Sequence, residues 1–472
     1  MQHGADGRSW LYRLGPSAVA AFWFLGFALL WWFDRPLYAA VMGQYIWNNA
    51  ETWAASANFP FFDLGAVLQA AACWRQGVDV FAPNACMQGG IFNYTPLLLR
   101  IGLLGIGPGA QLTGGVLLGL LFIAASAFLP PVRKCGEFLL RSAVLCSCAV
   151  VHGLVAANID LAVFVLVVAG VALQRAGFAG RVLGYALFLF GGALKFYPAV
   201  LLALTLRENR LRLACIGAVL TLGAGIVAFH YAQALSGIFV NLPLGLPFRG
   251  SFGAVNLPFG LALLAFMDQP SVLPGGEAFH AALHHPGLPL YVVLGSRVLV
   301  LAALATGLRL ASLYAAPLAR LDERRRLFLV AGAVLLAFCF YIAPNYEYRG
   351  VYLLLTLPGL HGMARAGSKP ARLILALILP LLCERILWTV FGAIGALLPG
   401  HALASWLGIL LWLLREAGWW FIMVSFTAIG FAFMRAAFAH LQGGGEMLPI
   451  HHGIRGDSRA GAMAGEAREV KS

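Results

Sequence analysis

Apolar runs long enough to cross a lipid bilayer recur along most of this chain, and no other feature restricts its fold as strongly. One crossing needs roughly 20 apolar residues, folded as a helix, because inside the hydrocarbon every backbone amide must find its partner within the segment. With 61% of 472 residues hydrophobic and only 11% charged, a single aqueous core cannot account for the length. The reading is an all-α, polytopic membrane protein. The formal net charge of +13 belongs to short basic clusters between the runs, as expected of loops kept in the cytoplasm. Topology explains the charge, and no nucleic-acid partner is expected.

The basic residues orient the path. Arg8 and Arg13 hold the N-terminus inside. The first run, 16–33, ends in Trp31, Trp32, Phe33 and Asp34 rather than in small residues, so it is expected to stay as the first helix and not to be cleaved. A second run near 111–130 returns to Arg133, Lys134 and Arg141, and a third and fourth form a hairpin whose outer tip is Asn158, Ile159 and Asp160. Too few residues separate Arg181 from Arg207 for two full crossings, and Lys195, Phe196, Tyr197 and Pro198 lie between them. Proline cannot continue a helical ladder, so two short or broken helices are expected to meet at Lys195. Further runs near 211–231, 290–316, 327–343, 350–364, 372–396 and 417–437 bring the expectation to about 12 transmembrane helices with both ends inside.

One membrane domain thus covers 1–442, with a first outer loop at 34–109 and a second at 232–289. The Gly-, Ala- and charge-rich tail 443–472 is expected to be disordered and cytoplasmic. The eight cysteines lack metal-ligand spacing, and neither a metal nor another cofactor is expected. Cys73 and Cys86 both fall in the first outer loop, where a disulfide is open to them and only geometry decides.

Charged residues beside apolar spans are costly and tend to carry function. Those predicted at outward ends are Asp63, Asn158 with Asp160, Lys195, Arg249, Asn256 and the run Asn345, Tyr346, Glu347, Tyr348, Arg349. Asp63 precedes Leu64, Val67, Leu68 and Ala71 at helical spacing. It suits a helix N-cap or, among Phe61, Phe62, Trp74 and Tyr94, a general base for a sugar hydroxyl. The aromatics either stack on sugar faces or pack against lipid. Asn158 and Asp160 suit a hairpin turn or a binding site, and Lys195 either snorkels to the interface or recognises a lipid-linked phosphate. Glu347 and Arg349 either pair with each other or with Arg385 and Glu384, or face a substrate.

Several segments together resemble a known family. Asp63 in the first outer loop is followed by Trp74 through Phe81 (Trp-Arg-Gln-Gly-Val-Asp-Val-Phe) and by Phe92, Asn93, Tyr94, Thr95 and Pro96. Asn158 to Phe164, Ala193 to Val200 and Asn345 to Leu354 come next in order. This succession resembles the C-type membrane glycosyltransferases (GT-C superfamily), and more closely the glycosyltransferase 87 family of polyprenol-phosphate-mannose-dependent mannosyltransferases. The resemblance implies a GT-C-like fold with short interfacial helices in the first outer loop. It also implies a polyprenyl-phosphate-linked sugar donor, mannose by default, and an acceptor that is a glycolipid, polysaccharide or protein. Asp63 matches the family's catalytic aspartate, and Lys195 matches the lysine of its Lys-x-x-Pro element. The donor phosphate is then expected at Lys195, Arg249 and Arg349. Tyr94, Asn158, Asp160, Tyr197, Asn256, Asn345, Tyr346 and Glu347 are expected to contact substrates. The protein would be a multi-pass component of a bacterial inner membrane, with its site facing the periplasm. The rival classes are a transporter or flippase of a lipid-linked sugar and a structural subunit of an envelope-polymer assembly.

Overall fold

The computed structural model describes residues 3–43, 45, 60–232, 247–268, 272, 277–342, 344–396 and 401–443. From 444 onward the expected tail lies outside the described residues, as do parts of both outer loops. The described chain is α-helical and 3-10 helical with one short β pairing, Ser251 opposite Tyr346 and Phe252 opposite Asn345, antiparallel.

Among the described residues, five helices are long and apolar enough to cross a membrane: Tyr12–Phe33, Pro108–Ser126, Leu288–Ala319, Glu323–Ile342 and Ser405–Gln442. Two bent pairs, Cys135–Leu145 with Cys148–Ala156 (44°) and Lys369–Leu382 with Glu384–Ile394 (68°), raise the number to as many as seven. The long helices alone therefore do not make up the roughly 12 crossings expected from hydropathy. Ile159–Leu173, Phe178–Leu194, Tyr197–Arg207 and Asn256–Phe266 are apolar but shorter. Hydropathy counts apolar length and is blind to where a run bends or stops, which is the physical reason for the difference. Phe229 is 91% exposed, Phe33 79% and Leu104 75%; outward-facing apolar side chains on this scale belong to a surface that contacts lipid. The chain is a membrane-embedded helical protein.

Glu323–Ile342 runs through the interior, buried along most of its length between Leu353–Arg365, His401–Gly443 and the Tyr197–Arg207 3-10 helix. Its two ends differ in chemistry. Near its start, Arg325 donates to the carbonyls of Pro131 (2.9 Å) and Pro358 (3.2 Å) and faces Glu137 at 3.5 Å. There Arg207 also reaches Glu323 (2.5 Å) and Arg133 reaches Asp322 (3.0 Å). Near its other end, Cys339 accepts from Arg349. At 1.5 Å rise per residue the two ends are roughly 20 Å apart, so the arginine-rich face and the group around Arg349 lie at opposite ends of one buried helix.

From Pro60 onward the segment expected to be the first outer loop is folded. Its Phe62–Arg75 helix buries Leu64, Val67, Leu68, Ala70, Ala71 and Cys73. A disulfide joins Cys73 to Cys86 across a Cα separation of 6.0 Å, and Gln69 Nε2 donates to the Cys86 carbonyl at 3.0 Å. A cross-link of this span stabilises chiefly by restricting the unfolded chain, by about 3 kcal/mol. Cys73→Ala/Cys86→Ala should accordingly lower the melting temperature in detergent, and a reductant should bring the parent protein down to the same value.

The helix begins at a strained residue. Phe61 holds φ 68°, a conformation a bulky side chain adopts only when its surroundings impose it. Its amide donates to the Val155 carbonyl at 2.7 Å, and its ring fills a notch over Gly115, where a Cβ would come within 2.1 Å of the ring. Gln111 Nε2 donates to the Pro60 carbonyl at 2.9 Å. These contacts fix the start of the helix, and with it Asp63 in its first turn.

Candidate active site

Asp63 is not the N-cap of its helix: that place is taken by Phe61, which makes no side-chain cap bond. Asp63 Oδ2 instead accepts from Asn158 Nδ2 at 2.5 Å. Asn158 is fully buried and follows Ala157, whose φ is 47°. Its Oδ1 accepts from the Asp160 amide (2.9 Å), capping Ile159–Leu173, and from Lys195 Nζ (2.9 Å). One amide side chain therefore links the carboxylate of the first loop to the ammonium at the helix break.

That break has the expected form. Phe178–Leu194 ends at Lys195, whose backbone is extended, and the 3-10 helix Tyr197–Arg207 follows with Pro198 in its first turn. Thr95 of the first loop clamps the end, its hydroxyl donating to the Ala193 carbonyl at 2.6 Å. Lys195 Nζ also meets Asp160 Oδ1 at 2.9 Å and lies over the rings of Tyr94 (5.2 Å) and Tyr348 (5.8 Å). An ammonium has three donors, and two of them are used by Asn158 and Asp160.

Asp160 gathers the rest. Tyr197 donates its hydroxyl to Oδ1 and so accepts from the Tyr352 hydroxyl at 2.7 Å, whose single proton is shared with the Asp160 carbonyl at 3.2 Å. Arg349 Nε stands 3.9 Å from Asp160 Oδ2, each without a hydrogen bond. Arg349 also covers the Tyr197 ring at 4.7 Å and donates to Cys339 Sγ at 2.8 Å. Glu347 neither pairs with Arg349 nor follows the expected Arg385 and Glu384 pattern; it meets His152 Nδ1 at 3.1 Å. Arg385 donates to the Gly43 carbonyl (2.9 Å), and Glu384 pairs with Arg415 (2.8 Å). The pairing differs because 3-10 geometry carries Glu347 and Arg349 to opposite neighbours within one turn.

Three of the residues expected to contact substrates or donor phosphate do not join the group around Asp63 and Lys195. Arg249 lies over Trp388 at 5.3 Å, and the indole N–H of Trp388 donates to Glu384 at 3.1 Å. It belongs to a second buried group built on Arg415, which also contacts Glu416 and the Ser251 carbonyl. Asn256 is fully buried, and its amide oxygen, oriented to suit its neighbours, accepts from the amides of Phe252 and Gly253 at 3.2 Å each. It is spent on the loop's own backbone. Asn345 sits in the β pairing, where its side chain accepts from the Tyr346 amide at 2.9 Å. The second group joins the first through the Glu347 amide, which donates to the Gly250 carbonyl at 3.1 Å, and through the Ser251–Tyr346 pairing beside it.

Sequence reasoning passed over His152 and Arg415. A lone imidazole inside the apolar run 148–156, or an Arg-Glu pair inside 405–442, was signal enough on the cost of polar groups in such runs. Which carboxylate each would meet is set by contacts between distant segments.

Asp63 remains partly accessible, yet protein surrounds its carboxyl. Burial raises its pKa above the usual carboxylate value; the Asn158 hydrogen bond, His152 and Lys195 oppose the rise without cancelling it, and Asp160 adds to it. A carboxyl of this kind, reachable and with its pKa raised, suits proton abstraction. The two cations beyond Asn158 suit an anionic group.

No family model matches the chain, and neither do curated proteins or solved structures.

Proposed function

We propose that the protein is an integral-membrane glycosyltransferase of the GT-C type, taking a sugar from a polyprenyl-phosphate donor and placing it on an acceptor hydroxyl outside the cytoplasm. One observation carries the reading: Asp63 and Lys195 share Asn158, so an accessible carboxylate lies one hydrogen-bonded side chain from a pair of buried cations. The donor's phosphate would sit against the free N–H of Lys195 and against Arg349, whose charges stabilise the phosphate as it departs. As the acceptor oxygen bonds to the anomeric carbon, the carbon–oxygen bond to phosphate breaks, Asp63 takes the hydroxyl proton, and the anomeric configuration inverts. Mannose is the sugar expected, and a glycolipid, polysaccharide or protein the acceptor.

Access from the lipid is supported by an apolar cavity of about 440 Å³ between Asn256–Phe266, Leu288–Ala319 and His401–Gly443, lined by Leu257, Leu299, Ala303, Leu413 and Trp420. Trp420 of that lining packs on Phe340 of Glu323–Ile342 at 5.2 Å. A periplasmic site in a bacterial inner membrane is supported by two features. The Cys73–Cys86 disulfide calls for an oxidising compartment, and the arginine-rich end lies opposite, as a cytoplasmic face requires.

The test is transfer from polyprenyl-phosphate [14C]mannose to extracted membrane lipids by purified protein in nanodiscs. Label that crosses the bilayer unchanged, with no product formed, would point to a flippase instead. The base must be ionised to act, and its pKa is raised, so activity should fall on the acid side while an ordinary carboxylate, near 4, would still be ionised. A rate that holds constant down to that value would contradict the assignment of Asp63.

A further inference from the structure

Four residues of the first helix, Phe24, Phe27, Ala28 and Trp31, share one face and line an apolar slot closed by Tyr38, Phe61, Leu112 and Val155. Their spacing carries the slot along the helix axis for about 10 Å, at 1.5 Å rise per residue. Ala28 is exposed and Leu112 is 37% exposed, so the slot opens sideways onto the surface that contacts lipid. Its enclosed volume is small, about 50 Å³. It has no room for another helix, roughly 10 Å across, and takes one hydrocarbon chain lying half in the bilayer. The mechanism above makes no use of it.

Two polar groups mark the Trp31 end of the slot. The indole N–H of Trp31 is buried and, among the described residues, has no hydrogen-bond partner, a costly state until an acceptor arrives. The exposed guanidinium of Arg35 lies over that indole at 5.1 Å, and Asp34 beside it spends one carboxylate oxygen on the Leu37 amide at 3.0 Å. The slot also adjoins the candidate site. Phe61, two residues before Asp63, and Val155, three before Asn158, both line it, and the Phe61 amide donates to the Val155 carbonyl at 2.7 Å. Asp63 and Asn158, which share a hydrogen bond, thus extend from the wall of the slot.

We propose that the slot seats an acyl chain of the sugar acceptor, an ester-linked lipid with a phosphate and a hydroxylated head. The chain lies against Phe24, Phe27 and Phe61, an ester carbonyl accepts from Trp31 Nε1, and the phosphate meets Arg35 in a charge-assisted contact. The head then reaches Asp63, which takes the proton of its hydroxyl as the sugar is transferred. A polyprenyl chain carries no oxygen below its phosphate and would leave the indole N–H unmatched, and a polysaccharide or protein would leave the slot unused. This rests on the glycosyltransferase reading and selects the acceptor class within it.

Full-length protein in nanodiscs is given polyprenyl-phosphate [14C]mannose and extracted membrane lipids, and unused donor is then destroyed with mild acid. The label should remain in material that dissolves in chloroform–methanol and pass to water after mild alkali, which cleaves acyl esters. Label in the delipidated residue, or organic-soluble label that resists alkali, overturns the inference and leaves the transferase reading standing; no transfer at all refutes that reading and the inference with it. Ala28→Trp, which fills the slot, and Arg35→Gln should each raise the acceptor KM at least 10-fold with the donor KM unchanged, while Arg35→Lys keeps the parent value. An unchanged acceptor KM in both overturns the slot. A second arm needs neither turnover nor a variant: phosphatidylglycerol with a diazirine on one acyl chain should label residues 24–31 ahead of the lipid-facing helix Leu288–Ala319. Equal labelling of the two marks bulk lipid only and overturns the slot as well.

Discussion

Asp63→Asn is expected to lower the rate of sugar transfer by about 100- to 10,000-fold, the range for loss of a general base, while leaving the protein folded. The second half of that expectation follows from geometry. Asp63 makes no cap bond in its helix, which is fixed instead by Phe61 against Val155 and Gly115 and by Gln111 against Pro60. An amide at position 63 keeps the shape and one acceptor oxygen for Asn158, so the link to Lys195 survives. Donor binding, which falls to Lys195 and Arg349, should change little; the loss belongs in kcat. Transfer from polyprenyl-phosphate [14C]mannose, measured together with thermal melting in detergent, checks both halves. An equal loss in Asp63→Glu would say that position as well as charge decides the chemistry, since one extra methylene moves the carboxylate away from the place Asn158 holds for it.

How far this site is legible in the sequence differs from residue to residue. Asp63, Lys195 and the helix break stand out because each is costly or disruptive where it sits, and cost in an apolar run can be read from one chain. The membrane class is legible for the same reason. The number of crossings is less so, since bends such as that between Leu382 and Glu384 leave no mark in hydropathy. The partners are not legible at all. Glu347 and Arg349 are two residues apart and invite pairing, but the 3-10 turn sends one to His152 and the other to Asp160, which are on different helices. Arg249 reads like a phosphate ligand and is drawn to Trp388 and the Glu384–Arg415 pair because the Lys369–Leu382 helix ends there. Such outcomes depend on long-range packing. Local composition carries no record of it.

Asp160→Ala should be the most destabilising single change at the site. Asp160 is 1% exposed and holds Lys195, Tyr197 and, more loosely, Arg349. Its removal leaves two like charges buried side by side without their counter-ion, and breaking a buried pair in this way costs about 3–5 kcal/mol. Much of that is the cost of an uncompensated cation and not the worth of the bond. Asp160→Ala combined with Lys195→Met should therefore be more stable than Asp160→Ala alone, a non-additivity that a double-mutant cycle measures directly. Melting temperatures of the four proteins in detergent provide the cycle. If the double variant were as unstable as the sum of the two singles, Asp160 would be holding the tyrosines and not the charge. Asp160→Asn sharpens the distinction, since it retains an acceptor for Tyr197 while removing the negative charge. Activity should be lost in all four altered proteins, because a Lys195 without Asp160 no longer points past Asn158 toward Asp63, and a protein without Lys195 has only Arg349 for the phosphate.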